Sequence, residues 1–238
     1  MKTTAKSLLV LLFGLLFLPA MAQQEGDYDY TSEFVWGVNK NTNGGLIGGF
    51  ILKKSIAISD RMFQTYGLEV MNVKHPREAR ISNPLNGNSF IWGKQNYLYS
   101  FRLQYGREVV LFKKASFQGL QIHGILAGGP SIGVVAPYYI QVNNGEAVQY
   151  NPDVHTNFNS VLGTGNILQG LGESEVKFGA NIKPAMSFEF GTFKSNVSGL
   201  EVGFALEAFT DKVILVPNAD NKQLFTSFFV TLFYGRRR

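Results

Sequence analysis

Long stretches of this chain alternate between apolar and polar side chains with a period of two, which is the pattern of half-buried β-strands. The clearest stretch runs from Asn96 to Gly106. The row on one side is Tyr97, Tyr99, Phe101, Leu103 and Tyr105. The row on the other side is Leu98, Ser100, Arg102, Gln104 and Gly106. A strand with such an aromatic row must place it against a protein core or a lipid bilayer.

Similar patterns elsewhere predict one antiparallel sheet made of eight long strands. The predicted strands are Glu33–Lys40, Gly45–Lys54, Met62–Val73, Asn96–Gly106, Phe117–Tyr139, Glu175–Phe190, Leu200–Glu207 and Phe228–Tyr234. The second, fourth and sixth turns are tight, whereas the third, fifth and seventh connections are longer and polar and the first is short. This alternation is typical of bacterial outer-membrane barrels, which have short turns at the periplasmic end and longer loops outside. We therefore predict an all-β fold, a single closed antiparallel transmembrane barrel.

One segment leaves the strand number open. Gly128-Gly129-Pro130 lies inside the fifth predicted strand. Because proline cannot donate to a β-ladder, we expect a bulge, a bend or a turn there. A turn would allow ten strands, with another strand inside the connection from Gln141 to Ser174. We favour eight.

The first residues have the features of a secretory signal peptide. Lys2 and Lys6 precede the apolar run Leu8–Leu18, and Ala20-Met21-Ala22 forms a small-x-small cleavage signal. This predicts a signal peptide at 1–22 and a single barrel domain at 23–238. The alternative is a retained N-terminal anchor, for which the run is short of the about 20 residues that a membrane helix needs.

The composition fits an envelope protein without disulfides. The chain has no Cys, which excludes disulfides and thiolate metal sites. Charged residues make up 16%, below the about 25% of ordinary soluble domains, and aromatic residues make up 13%. Without Lys2 and Lys6 of the predicted signal peptide, the net charge falls from +5 to +3, which is too small to indicate nucleic acid. Beyond the first residues there is no apolar run of helix-spanning length, so a mature chain that crosses a membrane does so as a closed barrel.

A soluble lipocalin-like barrel would show the same alternation with its directions reversed, so the polar rows must decide between the two. They contain glycines and charges of both signs, which suit a crowded interior where buried charges are paired. This favours lipid outside the barrel and a lumenal polar network. Its predicted members are Glu69, Arg102, His123, Lys183, Glu189, Glu201 and Glu207. We expect Glu189, Glu201 or Glu207 to partner Arg102.

Two consequences follow for the ends of the barrel and its interior. Eight strands enclose a lumen that side chains fill, which disfavours a small porin.

With both termini periplasmic, a basic rim forms at that end. Its members are Arg61, Arg107, Lys113, Lys114, Arg236, Arg237 and Arg238. We hypothesise that this rim contacts anionic lipid headgroups or an acidic periplasmic partner.

The sequence offers no catalytic constellation, cofactor site or metal site. His123 is expected in the lumen, and Ile125 stands where the His-x-Ser arrangement of lipid A deacylase barrels requires serine. Asp153 and His155 could supply two metal ligands, but two ligands are a weak signal. The alternative function, from a different class, is a lipid-modifying enzyme that uses polar residues around His123.

Several short motifs together resemble a set of functionally uncharacterised bacterial outer-membrane barrel proteins. They are Asn96-Tyr97-Leu98-Tyr99, Tyr105-Gly106-Arg107-Glu108, Gly129-Pro130-Ser131 with Pro137-Tyr138-Tyr139, and the basic ending after Tyr234-Gly235. The resemblance implies the fold and an outer-membrane location and no activity. We expect a non-enzymatic barrel that displays the loops 75–94 and 141–174, or an accessory subunit of an envelope assembly or secretion complex, with outer-membrane lipids and other envelope proteins as partners.

Overall fold

The computed structural model describes residues 30–45, 47–84, 86–113, 119–142, 145–151, 154–166, 169–190, 195–217 and 219–238. The predicted signal peptide lies outside these residues, as do Lys114 and Asp153. Within the described ranges the elements are strands and two short 3₁₀ helices. No helix among them is long and apolar enough to cross a membrane, a finding that does not bear on crossing by strands.

The strands divide into a barrel and smaller sheets. Eight of the described strands form the barrel: β1 (Ser32–Asn41), β2 (Gly49–Ser59), β3 (Met62–Val73), β6 (Asn96–Phe112), β7 (Gln121–Pro137), β11 (Glu175–Phe190), β12 (Asn196–Phe209) and β13 (Leu224–Arg237). The others are β4 (Ala79–Ser82), β5 (Ser89–Trp92), β8 (Tyr139–Val142), β9 (Ala147–Gln149) and β10 (Val161–Thr164). The 3₁₀ helices are Phe158–Ser160 and Gln169–Glu173.

The barrel is closed and antiparallel, with the strand order β1-β13-β12-β11-β7-β6-β3-β2. Pairing of β1 with β13 closes it, from Glu33 opposite Arg237 to Asn41 opposite Phe229. Both described chain ends lie at one end of the barrel, where the amide of Thr31 donates to the carbonyl of Arg238 over 2.8 Å. The predicted eight-stranded closed barrel is therefore confirmed in the described part of the chain.

The connections sort by length between the two ends. The β2–β3 turn lies beside the chain ends, at what we call the terminal end, together with the strand ends Phe112, Gln121, Phe190 and Asn196. The short β1–β2 turn and the longer connections lie at the opposite, loop end. The longer ones carry β4 with β5, β8 with β9 and β10, and residues 210–223.

The distribution of side chains is inverted relative to a soluble protein. Large apolar side chains point outward from every barrel strand and are exposed, while most charged side chains of these strands point inward and are buried. Representative outward residues are Phe34, Phe50, Phe101, Phe178, Phe204 and Leu232, with exposures from 37% to 66%. Soluble monomers rarely expose apolar patches beyond a few hundred Å². An apolar outer band around a polar interior is the arrangement of a transmembrane barrel.

Strand β7 continues through Gly128-Gly129-Pro130, so the turn that would have allowed ten strands does not form there. Arg102 lies opposite Ser131 and Tyr105 lies opposite Gly128, so the β6–β7 register does not shift across the proline. The side chain of Asn181 on β11 contacts this segment from the lumen. Its Nδ2 donates to the carbonyl oxygens of Gly129 at 3.0 Å and Pro130 at 3.2 Å. Eight strands, not ten, follow from this continuity.

Two strands are longer than predicted at the terminal end. Strand β6 continues to Phe112, which places Glu108 inside the strand rather than in a turn. Strand β13 continues to Arg237 rather than stopping at Gly235. The extra residues of both strands continue to pair with a neighbouring strand, with Glu108 opposite Ile125 and Arg236 opposite Phe34.

The wall at Gly106 is tight enough to be tested with a single methyl group. A Cβ at Gly106 would lie 2.5 Å from the carbonyl oxygen of Leu126 and 2.7 Å from the Cβ of Ala127. We expect Gly106→Ala to destabilise the barrel by about 1–3 kcal/mol, since overpacking forces the backbone to shift. The readout is the temperature at which the fast-migrating folded band disappears from detergent gels.

The matched control for this substitution is Gly124→Ala. A Cβ at Gly124 would meet Leu111 Cδ1 at 3.5 Å, an ordinary contact, so the transition temperature should stay near that of the parent protein. Equal transition temperatures for both variants would contradict the tight packing at Gly106.

Candidate functional site

The lumen holds a continuous chain of ion pairs that contains all seven residues predicted for the polar network. Four charged residues that the sequence analysis did not assign to the lumen complete it. The members of this lumenal ion-pair chain are Glu33, Lys53, Glu69, Arg102, Glu108, His123, Lys183, Glu189, Glu201, Glu207 and Arg237. Each of them is no more than 9% exposed.

The half nearer the loop end begins at Glu207. Arg102 Nη2 donates to its carboxylate at 2.8 Å, and Arg102 Nη1 lies 3.5 Å from Glu69. Lys183 pairs with Glu69 and, at 2.7 Å, with Glu201. Of the three expected partners of Arg102, Glu207 is therefore found, and Glu69 on the neighbouring strand is added.

The chain continues toward the terminal end through Lys53. Its Nζ lies 3.3 Å from Glu201 and 3.4 Å from Glu108. On the other side of Glu108, His123 Nδ1 lies 2.5 Å from the carboxylate, and His123 Nε2 lies 3.4 Å from Glu189. The imidazole thus bridges two carboxylates inside the barrel.

Arg237 ends the chain at the seam between the first and last strands. It pairs with Glu189 and with Glu33 at 2.6 Å, and its guanidinium lies 4.1 Å from the centroid of the Tyr30 ring. The assignment of Arg237 to the basic rim was therefore wrong. Because side chains of β13 alternate, Arg237 faces the lumen while Arg236 and Arg238 are exposed.

The other members of the predicted rim lie at the terminal end as far as they are described. Arg61 and Arg107 are exposed, and Lys113 is half-buried. Arg107 also lies over the ring of Tyr105, 5.7 Å from its centroid. Lys114 belongs to the part of the chain that is not described.

The lumen is filled by its own side chains. A cavity of about 10 Å³ lies near Lys53, Glu69, Lys183 and Glu201. That volume is about that of one water-sized probe, which leaves no passage for solutes at this level. His123 is 0% exposed, so a substrate in solvent or in lipid does not reach it in this conformation.

One group in the lumen has the composition of a metal site. Ligand atoms of Glu108, His123 and Glu189 lie within 4.8 Å of one another. Each of the three already has a protein partner: Glu108 has Lys53, Glu189 has Arg237, and His123 Nε2 lies 2.8 Å from Gln121 Nε2. These contacts account for the cluster as part of the ion-pair chain.

The long connections fold over the loop end as a compact unit, which we call the loop cap. It consists of β4, β5, β8, β9, β10, the described segments between them, and the described residues of 210–223. An aromatic core holds it together, and the buried members of this core are Phe90, Ile91, Tyr97, Ala136, Tyr138, Ile140, Tyr150 and Val161. Tyr97, expected to face lipid, is thus covered by the cap and not by the membrane.

Hydrogen bonds join the separate connections within the cap. Asn83 Nδ2 donates to the carbonyl of Val161 at 2.6 Å, and the amide of Ile91 donates to Tyr138 Oη at 3.0 Å. Below the cap a second apolar cluster closes the barrel mouth. It contains Val73, Leu98, Val135, Phe209, Val213 and Leu215.

A buried ion pair fastens the β4–β5 hairpin to the barrel. Lys94 Nζ lies 2.9 Å from both carboxylate oxygens of Glu78 and 4.4 Å from the centroid of the Tyr97 ring. Lys94 is 0% exposed. Burial lowers the pKa of Lys94, and the adjacent Glu78 carboxylate opposes that shift.

The sequence contained signals for part of what was missed. Extending the row Arg102, Gln104, Gly106 by two residues reaches Glu108, and Glu33 shares a face with Val35 opposite the apolar row of β1. Lys53 had no such signal because Lys54 follows it, and the pattern of β2 does not separate the two faces. The pairing of Lys94 with Glu78 also gives no periodic pattern in the sequence.

Comparisons with known proteins give likenesses of shape. No protein-family model and no curated protein matches the sequence. Ail, the attachment invasion locus protein of Yersinia pestis, solved with the heparin analogue sucrose octasulfate, has a TM-score of 0.40 and 9% identity over 87% of this chain and 97% of its own. Neisserial surface protein A has a TM-score of 0.39 and 7% identity over 87% and 94%. Values this low transfer neither an activity nor a partner.

Breaking one link of the lumenal ion-pair chain should be costly. Lys183→Met leaves Glu69 and Glu201 without their shared cation, and removal of one partner from a buried pair costs about 3–5 kcal/mol. We expect the urea midpoint of the barrel in detergent micelles to fall accordingly. Lys54→Met, on the exposed face of β2, is the control. A midpoint equal to that of the control would contradict the role of the chain.

The buried pair in the cap predicts a different pattern. Lys94→Met strands the Glu78 carboxylate, so we expect residues 75–94 to become sensitive to a protease that leaves the barrel intact. The double variant Glu78→Met with Lys94→Met removes both charges and should regain resistance. If the double variant is cleaved as fast as the single one, the pair does not hold the hairpin.

Proposed function

We propose that this protein is a non-enzymatic integral outer-membrane barrel that presents the loop cap outside the cell. In this role the barrel is a rigid base and the outer surface of the cap is the working surface, either alone or as an accessory part of an envelope assembly. The observation that carries the proposal is the combination of a lumen occupied by paired, buried charges with long connections that have an aromatic core of their own.

The outer surface of the barrel supports the membrane location. Its outward side chains are predominantly apolar, and aromatic pairs of the kind that favour membrane–water boundaries lie on it. Trp36 packs against Tyr234 at 6.3 Å and Tyr66 packs against Tyr105 at 5.5 Å, measured between ring centroids. A soluble lipocalin-like barrel would instead expose its polar row to water.

The interior argues against transport and catalysis. A channel requires continuous water, and here the described lumen is occupied by paired charges. A lipid-modifying enzyme requires a group that meets its substrate, and His123 is enclosed between Glu108, Gln121 and Glu189. Presentation of a folded surface needs neither, so it fits the geometry best.

The orientation is part of the proposal. The tight β2–β3 turn and both described chain ends share one end of the barrel, as at the periplasmic end of bacterial barrels. The exposed cations at this end are Arg61, Arg107, Arg236 and Arg238. They support contact between the terminal end and anionic headgroups of the inner leaflet.

Cysteine labelling tests both the location and the orientation. Because the chain has no Cys, a single introduced thiol is the sole reactive site. Asn86→Cys lies in the exposed turn of the β4–β5 hairpin, and Asp60→Cys lies in the exposed β2–β3 turn. On intact cells a membrane-impermeant maleimide should label the first variant, and after lysis it should label both.

Three outcomes would count against the proposal. Labelling of Asp60→Cys alone on intact cells would reverse the orientation. A soluble periplasmic product would remove the membrane location. A folded protein that conducts ions in planar bilayers would contradict a lumen occupied by paired charges.

A further inference from the structure

The loop end has a notch above its shortest connection. The turn between β1 and β2 stays low, and Asn43 in it donates from Nδ2 to the carbonyl of Thr226 at 2.9 Å. Strand β13 extends above this level to Leu224, and the connections after β3 and β12 rise on either side. Between them lies a pocket of about 360 Å³.

One side of this notch pocket is basic. Lys74, Arg77 and Lys222 line it, and none of these has an ion-pair partner among the described residues. Asp220 is the acidic residue in the described lining, so the local charge is positive. His75 fixes the basic segment, since its Nδ1 accepts from the Arg77 amide at 3.1 Å and its Nε2 lies 3.3 Å from the carbonyl of Asp220.

The other side of the pocket is apolar and leads to the outer wall of the barrel. Val213, Leu215, Leu224 and Phe225 line it. Leu224 is 50% exposed and belongs to the outward row that continues with Phe228. On the far side of the turn, Ile47 and Phe50 are also exposed. The pocket therefore lies where uncompensated cations meet the apolar band.

From this arrangement we propose that the notch pocket binds the phosphorylated headgroup of a membrane lipid, with acyl chains along the outer wall below Leu224. Phosphate oxygens form strong charge-assisted hydrogen bonds with Arg and Lys, and the apolar wall accepts the hydrocarbon. A free anion would use the cations and leave the exposed Leu224 in water. The inference rests on the proposed membrane location and names the lipid chemistry at the loop end.

The experiment measures lipid retention by the folded full-length chain. Detergent-solubilised protein is mixed with diphosphorylated lipid A or with dephosphorylated lipid A, and native mass spectrometry quantifies the bound fraction. We expect retention of the phosphorylated lipid alone. The triple variant Lys74→Gln, Arg77→Gln, Lys222→Gln should bind it about tenfold more weakly, the change expected from loss of about 1.4 kcal/mol of binding free energy.

The matched control removes three cations at the loop end outside the pocket, as Arg80→Gln, Lys177→Gln, Lys212→Gln. It should retain the lipid like the parent protein, because the cations of the pocket are intact. It is a matched control because its net charge equals that of the triple variant. Equal loss in both triple variants, or equal retention of both lipids, would overturn the proposal. Competition by millimolar inorganic phosphate would also overturn it, in favour of a free-anion site.

Failure here is distinguishable from failure of the proposed function. If the Asn86→Cys variant is labelled on intact cells and lipid retention is independent of the pocket cations, the barrel and its cap stand and the lipid site falls. If the barrel is absent from the outer membrane, the labelling experiment reports it before any lipid is added.

Discussion

The pairing of buried charge is the constraint on which this molecule depends. A carboxylate or an ammonium group without a partner is too costly in an interior of low polarity. Six glutamates in the described lumen are met by two lysines, two arginines and His123. Their arrangement fixes which residues of each strand point inward, because a one-residue slip of any strand would carry its charges to the lipid side.

The need to pair buried charges also separates the role of the barrel from that of the loop cap. Side chains that satisfy one another leave no room in the lumen for water or substrate, so the barrel contributes rigidity rather than chemistry. The part that can vary is the loop cap above the barrel. Aromatic residues such as Phe90, Tyr138 and Tyr150 make the loop cap a folded unit, in contrast to the flexible loops that many barrels carry.

How much could be predicted from the sequence depended on the range of the interactions. Alternation within one strand predicted the row from Phe101 to Tyr105 and the inward direction of Arg102, because side-chain direction is a local property. Contacts between strands could not be predicted in the same way. The pairing of Lys94 with Glu78 and the core of the loop cap join segments far apart in sequence, which share no common period. Pro130 gave a false signal because its pairing with Ala180 on another strand continues the sheet across it.

The partners in the lumenal chain have a consequence for assembly. Lys53 on β2 meets Glu201 on β12, Glu69 on β3 meets Lys183 on β11, and these strands are not neighbours in the wall. An open sheet of the same strands cannot form such contacts, so every intermediate before closure carries ionised groups that still need water. These ion pairs therefore form only when the barrel closes. A partly formed barrel has to keep its inner face hydrated, and only the closed barrel is stable in hydrocarbon.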